Sequence, residues 1–118
     1  MNVIMDIKGG YGNQLFCYAL GYALSKRLQA QLWLDISMLK NHIVKDRQAE
    51  ILHLNIVYDK LVTYPYDRRL LYRKLGVNRL RKKSAIGWNT AVYKEKQLIQ
   101  YDQDVFEIKK DTYFDGFW

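Results

Sequence analysis

The hydrophobic pattern changes its period twice within the first 35 residues. Apolar and β-branched side chains fill residues 2–7, which predicts a short buried strand. Apolar residues then recur every three or four positions, which predicts an amphipathic helix over residues 13–29 with Asn13 as its N-cap. A second short apolar segment, Gln31–Asp35, predicts another strand. Strand, helix and strand in this order form a βαβ unit, so the sequence predicts a three-layer α/β fold around a parallel sheet.

The pattern beyond Asp35 is weaker. Residues 36–49 predict a short helix and a loop, and residues 50–57 fit either a strand or a short apolar turn. Pro65 predicts a break, because it disfavours helical geometry in the residue before it. Residues 91–101 suggest extended or mixed structure. The alternating aromatic residues 111–118 predict a final strand. The large rings at its end are expected to lack packing partners, which raises the expectation of a longer chain.

A basic amphipathic stretch lies between these segments, over residues 67–83, and predicts a helix that Gly76 interrupts or ends. Four leucines are expected to anchor it: Leu70, Leu71, Leu75 and Leu80. Its positive charges are Arg68, Arg69, Arg73, Lys74, Arg79, Arg81, Lys82 and Lys83. This segment suits either a solvated face or contact with an anionic membrane surface.

Length and composition favour one domain over residues 1–118 with a real core, since 49% of the residues are apolar. The net charge of +7 favours anionic partners, although no known nucleic-acid module accompanies it, so no nucleic-acid partner is expected. No apolar run is long enough to span a membrane, and the first residues do not form a signal peptide. We therefore expect a cytoplasmic location, with possible peripheral binding at the inner face of a bacterial membrane.

Cys17 is the single cysteine, which excludes an internal disulfide. It lies among apolar residues of the first helix and is expected to be a small buried hydrophobic residue. His42 and His53 are the only histidines, and neither shares a motif with Cys17. The sequence has no Cys/His cluster with zinc spacing, no calcium loop and no G-x-x-x-x-G-K-[ST] motif, so we expect no metal site.

A glycine-rich turn separates the first strand from the first helix. Its residues are Gly9, Gly10 and Gly12, followed by the side-chain amides of Asn13 and Gln14. Glycine permits close approach to the backbone, and a helix start presents unpaired N–H groups, so the segment suits a phosphate or another anion. The alternative is a sharp turn that binds no ligand.

A dinucleotide-dependent oxidoreductase is the first rival interpretation of this turn. Gly10 and Gly12 match the first two glycines of G-x-G-x-x-G, and Asp35 ends the second strand as that fold requires. Leu15 occupies the third glycine position, where close packing of helix and strand needs glycine, and this argues against the rival. A second rival is a non-catalytic anion-binding module built on residues 68–83.

Several segments, taken in order, resemble the galactoside α-1,2-fucosyltransferases of glycosyltransferase family 11. Residues 8–19, K-G-G-Y-G-N-Q-L-F-C-Y-A, closely resemble the opening signature of that family, G-G-L-G-N-Q-hydrophobic-F-Q-Y-A, and depart from it at Tyr11 and Cys17. The L-W-L-D of residues 32–35 and the aromatic residues 113–118 resemble later segments. Further matches are Arg47, Glu50, Leu52, Asn55, Ile56, Tyr93, Lys94, Glu95, Lys96, Tyr101, Asp102, Val105 and Phe106.

The resemblance implies the N-terminal, Rossmann-like half of a GT-B-like glycosyltransferase that moves fucose from GDP-fucose to the 2-hydroxyl of a galactoside in glycan or surface-polysaccharide synthesis. It implies an inverting reaction without a metal or other cofactor. The expected donor contacts are Gly9, Gly10, Gly12, Asn13 and Gln14. Asp6, Asp35 and Asp115 are candidates for the general base by residue type only, and the base is not assigned.

The other hallmark of the family, the basic motif H-x-R-R-x-D, does not occur in these 118 residues. Family members are also more than twice this length. The resemblance therefore implies a fragment of a longer enzyme that is inactive alone.

Overall fold

The computed structural model describes residues 1–41, 48–66, 69–97 and 102–118. Within these ranges one sheet has five strands: β1 (Asn2–Asp6), β2 (Gln31–Asp35), β3 (Lys60–Val62), β4 (Ala91–Lys94) and β5 (Thr112–Asp115). The helices are α1 (Tyr11–Leu28), α2 (Ser37–Lys40), α3 (Leu70–Lys74) and α4 (Val77–Ile86), with 3₁₀ segments at Glu50–His53 and Gln103–Glu107. All strand pairs are parallel, in the order β3-β2-β1-β5-β4. The predicted α/β fold with a parallel sheet is confirmed.

Helices cover both faces of the sheet and give the three predicted layers. On one face α1 and the two 3₁₀ segments pack over β1, β2 and β5, with Cys17, Leu24, Ile51 and Val105 among the buried residues. On the other face Ile86 of α4 joins Ile4 and Tyr113 in a second buried cluster. Burying both faces explains why the inner strands show nearly continuous apolar runs.

The βαβ unit forms as predicted, but its helix begins earlier. α1 starts at Tyr11, and Gly10, in extended geometry, is its N-cap, so the prediction of Asn13 as N-cap is wrong. Tyr11, Gly12 and Asn13 form an exposed first turn, and the apolar period begins only where the helix meets the sheet. The predicted end is confirmed, since Gln29 is the C-cap in left-handed geometry.

The middle of the chain mixes confirmed and missed elements. Helix α2 confirms the short helix predicted after Asp35, while residues 42–47 lie outside the described residues. Residues 50–53 take the turn alternative, as a 3₁₀ segment. The chain breaks around Pro65 as predicted, but β3 had no counterpart among the predictions because three residues carry too little periodicity to be recognised.

The basic stretch forms two helices joined at Gly76, which adopts a positive φ of 71°, so the predicted interruption is confirmed. Residues 67 and 68 lie outside the described residues. The leucines do not anchor these helices, since all four are 54–66% exposed: Leu70, Leu71, Leu75 and Leu80. Ala85 and Ile86, at the end of α4, contact the sheet instead. In the described part of the chain, no helix has the length and apolarity needed to cross a membrane.

β4 confirms extended structure in the first part of residues 91–101. β5 confirms the predicted final strand but ends at Asp115 and is shorter than predicted. The ring of Trp118 packs at 5.9 Å from Phe114 and 6.0 Å from Tyr93. The expectation that this terminal ring lacks packing partners is therefore wrong. Residues 98–101 lie outside the described residues.

Candidate functional site

A cleft of about 550 Å³ opens beyond the carboxyl ends of the strands, on the α4 side of the sheet. From β1 the chain continues to β2 and β3 on one side of the sheet, whereas β5 and β4 lie on the other side of β1. The strand order therefore reverses between β1 and β5. Open α/β sheets bind ligands at such a switch point. The cleft is lined by Asp6, Lys8, Gly9, Met38, Leu39, Tyr64, Tyr66, Asn78, Arg79, Lys82, Tyr113, Asp115 and Phe117.

The three aspartates that the sequence offered as base candidates converge at this edge, because each ends a strand. Asp6 and Asp115 line the cleft, and Asp35 lies just beneath it with 1% of its surface exposed. Asp35 has partners at both oxygens: the backbone N–H of Ser37 donates to Oδ1 at 2.9 Å, and the Tyr113 hydroxyl donates to Oδ2 at 2.8 Å. Asp35 therefore stabilises the strand ends and does not reach the cleft.

Asp6 differs from the other two aspartates because one of its oxygens is unsatisfied. Its side chain is 9% exposed, and its Oδ1 has no hydrogen-bond partner among the described residues. Burial raises the pKa of Asp6, the charge of Lys8 opposes that rise, and the negative charge of Asp35 adds to it. A buried carboxylate oxygen without a partner is costly for a folded protein, so its position at a cleft points to a ligand.

Lys8 links the two cleft carboxylates. Its Nζ lies 3.2 Å from Oδ2 of Asp6 and donates a hydrogen bond of 2.6 Å to Oδ1 of Asp115. Burial alone lowers the pKa of Lys8, but the two carboxylates outweigh it and the pKa is raised. Burial likewise favours a raised pKa at Asp115, yet its bond to Lys8 holds that pKa below the usual value. Lys8 and Asp115 thus form a stable ion pair at neutral pH.

A second lysine enters the cleft from α4. Nζ of Lys82 lies 3.5 Å from the centre of the Tyr113 ring, a cation–π contact. Burial lowers the pKa of Lys82, and the charges of Asp6 and Asp35 partly offset the effect. Arg79, one helical turn away, also lines the cleft. The α4 wall of the cleft is therefore cationic and suits an anionic ligand group.

The glycine turn borders the same cleft through Gly9, which adopts a positive φ of 75°. A Cβ at this position would lie 2.8 Å from Nδ2 of Asn13, so the turn requires glycine both for its geometry and for this contact. Gly10 and Gly12 flank the start of α1, and space around Gly12 is open. The first turn of the helix is therefore accessible from solvent.

Gln14 has a different position from the other residues predicted to contact the donor. It is 1% exposed, and its Nε2 donates to the carbonyl oxygens of Gly9 and Gln48, at 3.1 and 2.7 Å. Its Oε1 accepts from the N–H of Ile51 at 3.1 Å. Gln14 thus fixes the glycine turn to the first 3₁₀ segment. The structure places Gly9 at the cleft, Asn13 over Gly9, and Gln14 beneath both.

Five cleft residues with polar side chains had no predicted role in a site: Lys8, Tyr64, Tyr66, Asn78 and Tyr113. Arg79 and Lys82 were predicted only as charges of the basic stretch. The position of Lys8 two residues after β1, which was predicted, is a usable signal, whereas Tyr64 lies two residues after β3, which was not predicted. In the described ranges, no group of three His, Cys, Asp or Glu side chains is arranged to hold a metal ion. Cys17 is confirmed as a buried apolar residue, and burial raises its pKa to about 12.

The fold and the cleft define an open, parallel α/β protein with a partly polar cleft at its switch point. Over 60 residues, 48% of the chain, the sequence is 42% identical to the O-antigen biosynthesis glycosyltransferase WbnK of Escherichia coli. This match spans 20% of the length of WbnK. No protein-family model matches the chain, and no solved structure matches it.

Proposed function

We propose that the chain forms the N-terminal part of a glycosyltransferase that moves fucose from GDP-fucose to the 2-hydroxyl of a galactoside in surface-polysaccharide synthesis. The observation that carries the proposal is that Gly9, of the glycine turn, borders the same cleft as three cations, Lys8, Arg79 and Lys82. The similarity to an O-antigen glycosyltransferase supports sugar transfer. The choice of fucose rests on the resemblance of residues 8–19 to the fucosyltransferase signature.

The donor would lie with its diphosphate against the glycine turn. α1 is 18 residues long and has no side-chain hydrogen bond at its N-cap, and the glycines at its start add no side-chain bulk near its first N–H groups. Negative charge develops on the leaving diphosphate during transfer, and fixed N–H donors and cations stabilise it without a metal. Gly9, Gly10, Gly12 and Asn13 would contact the donor, while Gln14 would hold the turn in shape.

Two features weigh against the rival dinucleotide oxidoreductase. In that fold an acidic residue at the end of β2 binds a ribose hydroxyl, but Asp35 is buried and both its oxygens have protein partners. The strand order also differs from the dinucleotide-binding order. In that order β4 lies beside β1, whereas here β5 lies beside β1. Sugar-nucleotide binding therefore accounts for the site better than hydride transfer.

The basic stretch, described from Arg69 onward, would supply a surface for peripheral binding at the cytoplasmic face of an anionic membrane. Every charged residue from Arg69 to Ile86 is basic, and four leucines among them are exposed. Basic and apolar side chains on one surface suit a bilayer with anionic headgroups. Sedimentation with phosphatidylglycerol vesicles should exceed that with phosphatidylcholine, and Leu71→Ser should weaken it more than Leu54→Ser elsewhere on the surface. Equal binding to both lipids would contradict this assignment.

A transfer assay on the full-length protein tests the main proposal. The protein is incubated with GDP-fucose and a β-galactoside, released GDP is measured, and the linkage is determined by NMR. Formation of an α-1,2-fucosyl product supports the proposal, and transfer only from another sugar nucleotide rejects fucose. NAD(P)H binding without sugar transfer favours the oxidoreductase, and anion binding that depends only on residues 68–83 favours the non-catalytic module. The 118 residues alone should not catalyse transfer, because they lack the basic donor motif H-x-R-R-x-D.

A further inference from the structure

Of the three strand-end aspartates, only Asp6 has a buried oxygen that lacks a protein partner among the described residues. Both oxygens of Asp35 accept hydrogen bonds from the protein. Asp115 is held by Lys8 at 2.6 Å. Asp6 lines the cleft and contacts Lys8 through Oδ2, while its buried Oδ1 has no partner among the described residues.

The surroundings of Asp6 suit a sugar. The cleft combines aromatic rings, from Tyr64, Tyr66 and Phe117, with polar side chains at its base. Aromatic rings pack against the C–H faces of a pyranose, while a carboxylate accepts strong hydrogen bonds from its hydroxyls. A volume of about 550 Å³ is within the range of small-ligand sites.

We propose that the acceptor sugar binds in this cleft beside the donor diphosphate and that Oδ1 of Asp6 accepts the proton of its attacking hydroxyl; this inference rests on the proposed glycosyl transfer. As the acceptor oxygen bonds to the anomeric carbon of the donor, its O–H bond breaks and the proton moves to Asp6. The bond between the anomeric carbon and the diphosphate breaks at the same time, and its electron pair stays on the leaving phosphate oxygen. The proton then passes to solvent and regenerates the carboxylate.

The electrostatics around Asp6 suit a proton acceptor. Burial raises the pKa of Asp6 above that of an ordinary aspartate, which makes the carboxylate a stronger base. Lys8 and Lys82 oppose the rise and help to keep the group ionised near neutral pH. The titratable groups that face Asp6 or interact with its charge are Lys8, Cys17, Asp35, Tyr64, Lys82, Tyr113 and Asp115.

The first test compares Asp6→Asn with Asp104→Asn in the full-length protein. Asn has nearly the same shape as Asp but cannot accept the proton, so kcat should fall by about 10²–10⁴-fold. Asp104 is exposed and lies away from the cleft, so its variant should keep the activity of the wild type. The Kd for GDP-fucose should change little in either variant, because the inference gives Asp6 no contact with the donor.

The second test does not depend on the folding of Asp6→Asn. Lys82→Gln removes a positive charge that lowers the pKa of Asp6, so the acidic limb of the kcat/KM profile should move to higher pH. An unmoved limb, or a folded Asp6→Asn enzyme with the kcat of the wild type, would overturn the inference. If the wild type transfers no sugar, the proposed function fails instead, so the two failures are distinguishable.

Discussion

Two glycines of α1 should respond in opposite ways to the same substitution. A Cβ built on Gly21 would clash with Cγ of the buried Met5 and lie 2.9 Å from Cδ1 of Leu32. Alanine at Gly21 gains about 1 kcal/mol of helix propensity. Overpacking of a close-packed core costs about 1–3 kcal/mol. The contact with Cγ of Met5 belongs at the upper end of this range, because Cγ lies in the middle of a buried side chain and cannot move away easily. We expect Gly21→Ala to destabilise the protein by about 1–2 kcal/mol.

Gly12 is the matched control. A Cβ there would meet no atom within 4 Å, and the residue lies in the exposed first turn of the same helix. Alanine at Gly12 should therefore stabilise the protein by about 0.5–1 kcal/mol. Because the proposed donor lies against this turn, the more stable Gly12→Ala protein should also bind GDP-fucose less tightly.

Urea unfolding and thermal melting of the two variants measure these effects. A domain of this size shifts its Tm by about 4 °C per kcal/mol, so both changes are resolvable. A Gly21→Ala protein that melts above the wild type would refute the packing argument. A Gly12→Ala protein with unchanged GDP-fucose affinity in the full-length enzyme would remove Gly12 from the donor site.

Four further outcomes follow from the same contacts. Burial raises the pKa of Asp6, so the contribution of this group to stability is present below the pKa of the unfolded chain and is lost as pH rises through the pKa of the folded protein. The Asp6→Asn variant should therefore melt at or above the Tm of the wild type at neutral pH. A lower Tm of the variant at neutral pH would contradict this. Cys17 should resist iodoacetamide at mildly alkaline pH until urea unfolds the protein, because its pKa is raised to about 12; modification of the native protein, seen by mass spectrometry, contradicts its burial. Tyr113→Phe should lower the free energy of unfolding by about 1–3 kcal/mol, since Oδ2 of Asp35 loses its partner, and an unchanged urea midpoint contradicts this. Asn13→Ser and Asn13→Asp should both stay folded and lose about 10²–10³ in kcat, and a fully active Asn13→Ser enzyme removes Asn13 from the site.

The first third of the fold was predictable because each element there has a clear period. Buried parallel strands give continuous apolar runs, and α1 gives a three- to four-residue repeat. The exposed first turn of α1 has no apolar side chain facing the sheet, so its start was misplaced at Asn13. Hydrophobic period detects where a helix meets a sheet and not where the helix begins.

The basic helices show the converse error. Leucines at helical spacing in residues 70–80 read as a buried stripe, yet α3 has no buried residue at all. Periodicity records which side chains share a helix face but not whether anything covers that face. The contacts of Ala85 and Ile86 with the sheet, and of Lys82 with the ring of Tyr113, show how α4 is held.

The composition of the candidate site depends on strand order, which no local pattern encodes. In the parallel register Met5 pairs with Phe114, so Asp115 lies beside Asp6 and within reach of Lys8. Lys94 occupies the position of Asp115 on the neighbouring strand β4. Had β4 paired with β1, as in the dinucleotide-binding order, a second lysine would stand where Asp115 now neutralises Lys8.

That exchange would also change the state of Asp6. Lys8 now divides its charge between two carboxylates, which leaves Oδ1 of Asp6 unpartnered within the described residues. With two lysines beside it, both oxygens of Asp6 would be drawn into ion pairs and its pKa would be held down. Insertion of β5 between β1 and β4 therefore gives this edge a buried carboxylate with one unpartnered oxygen, the proposed acceptor of the hydroxyl proton.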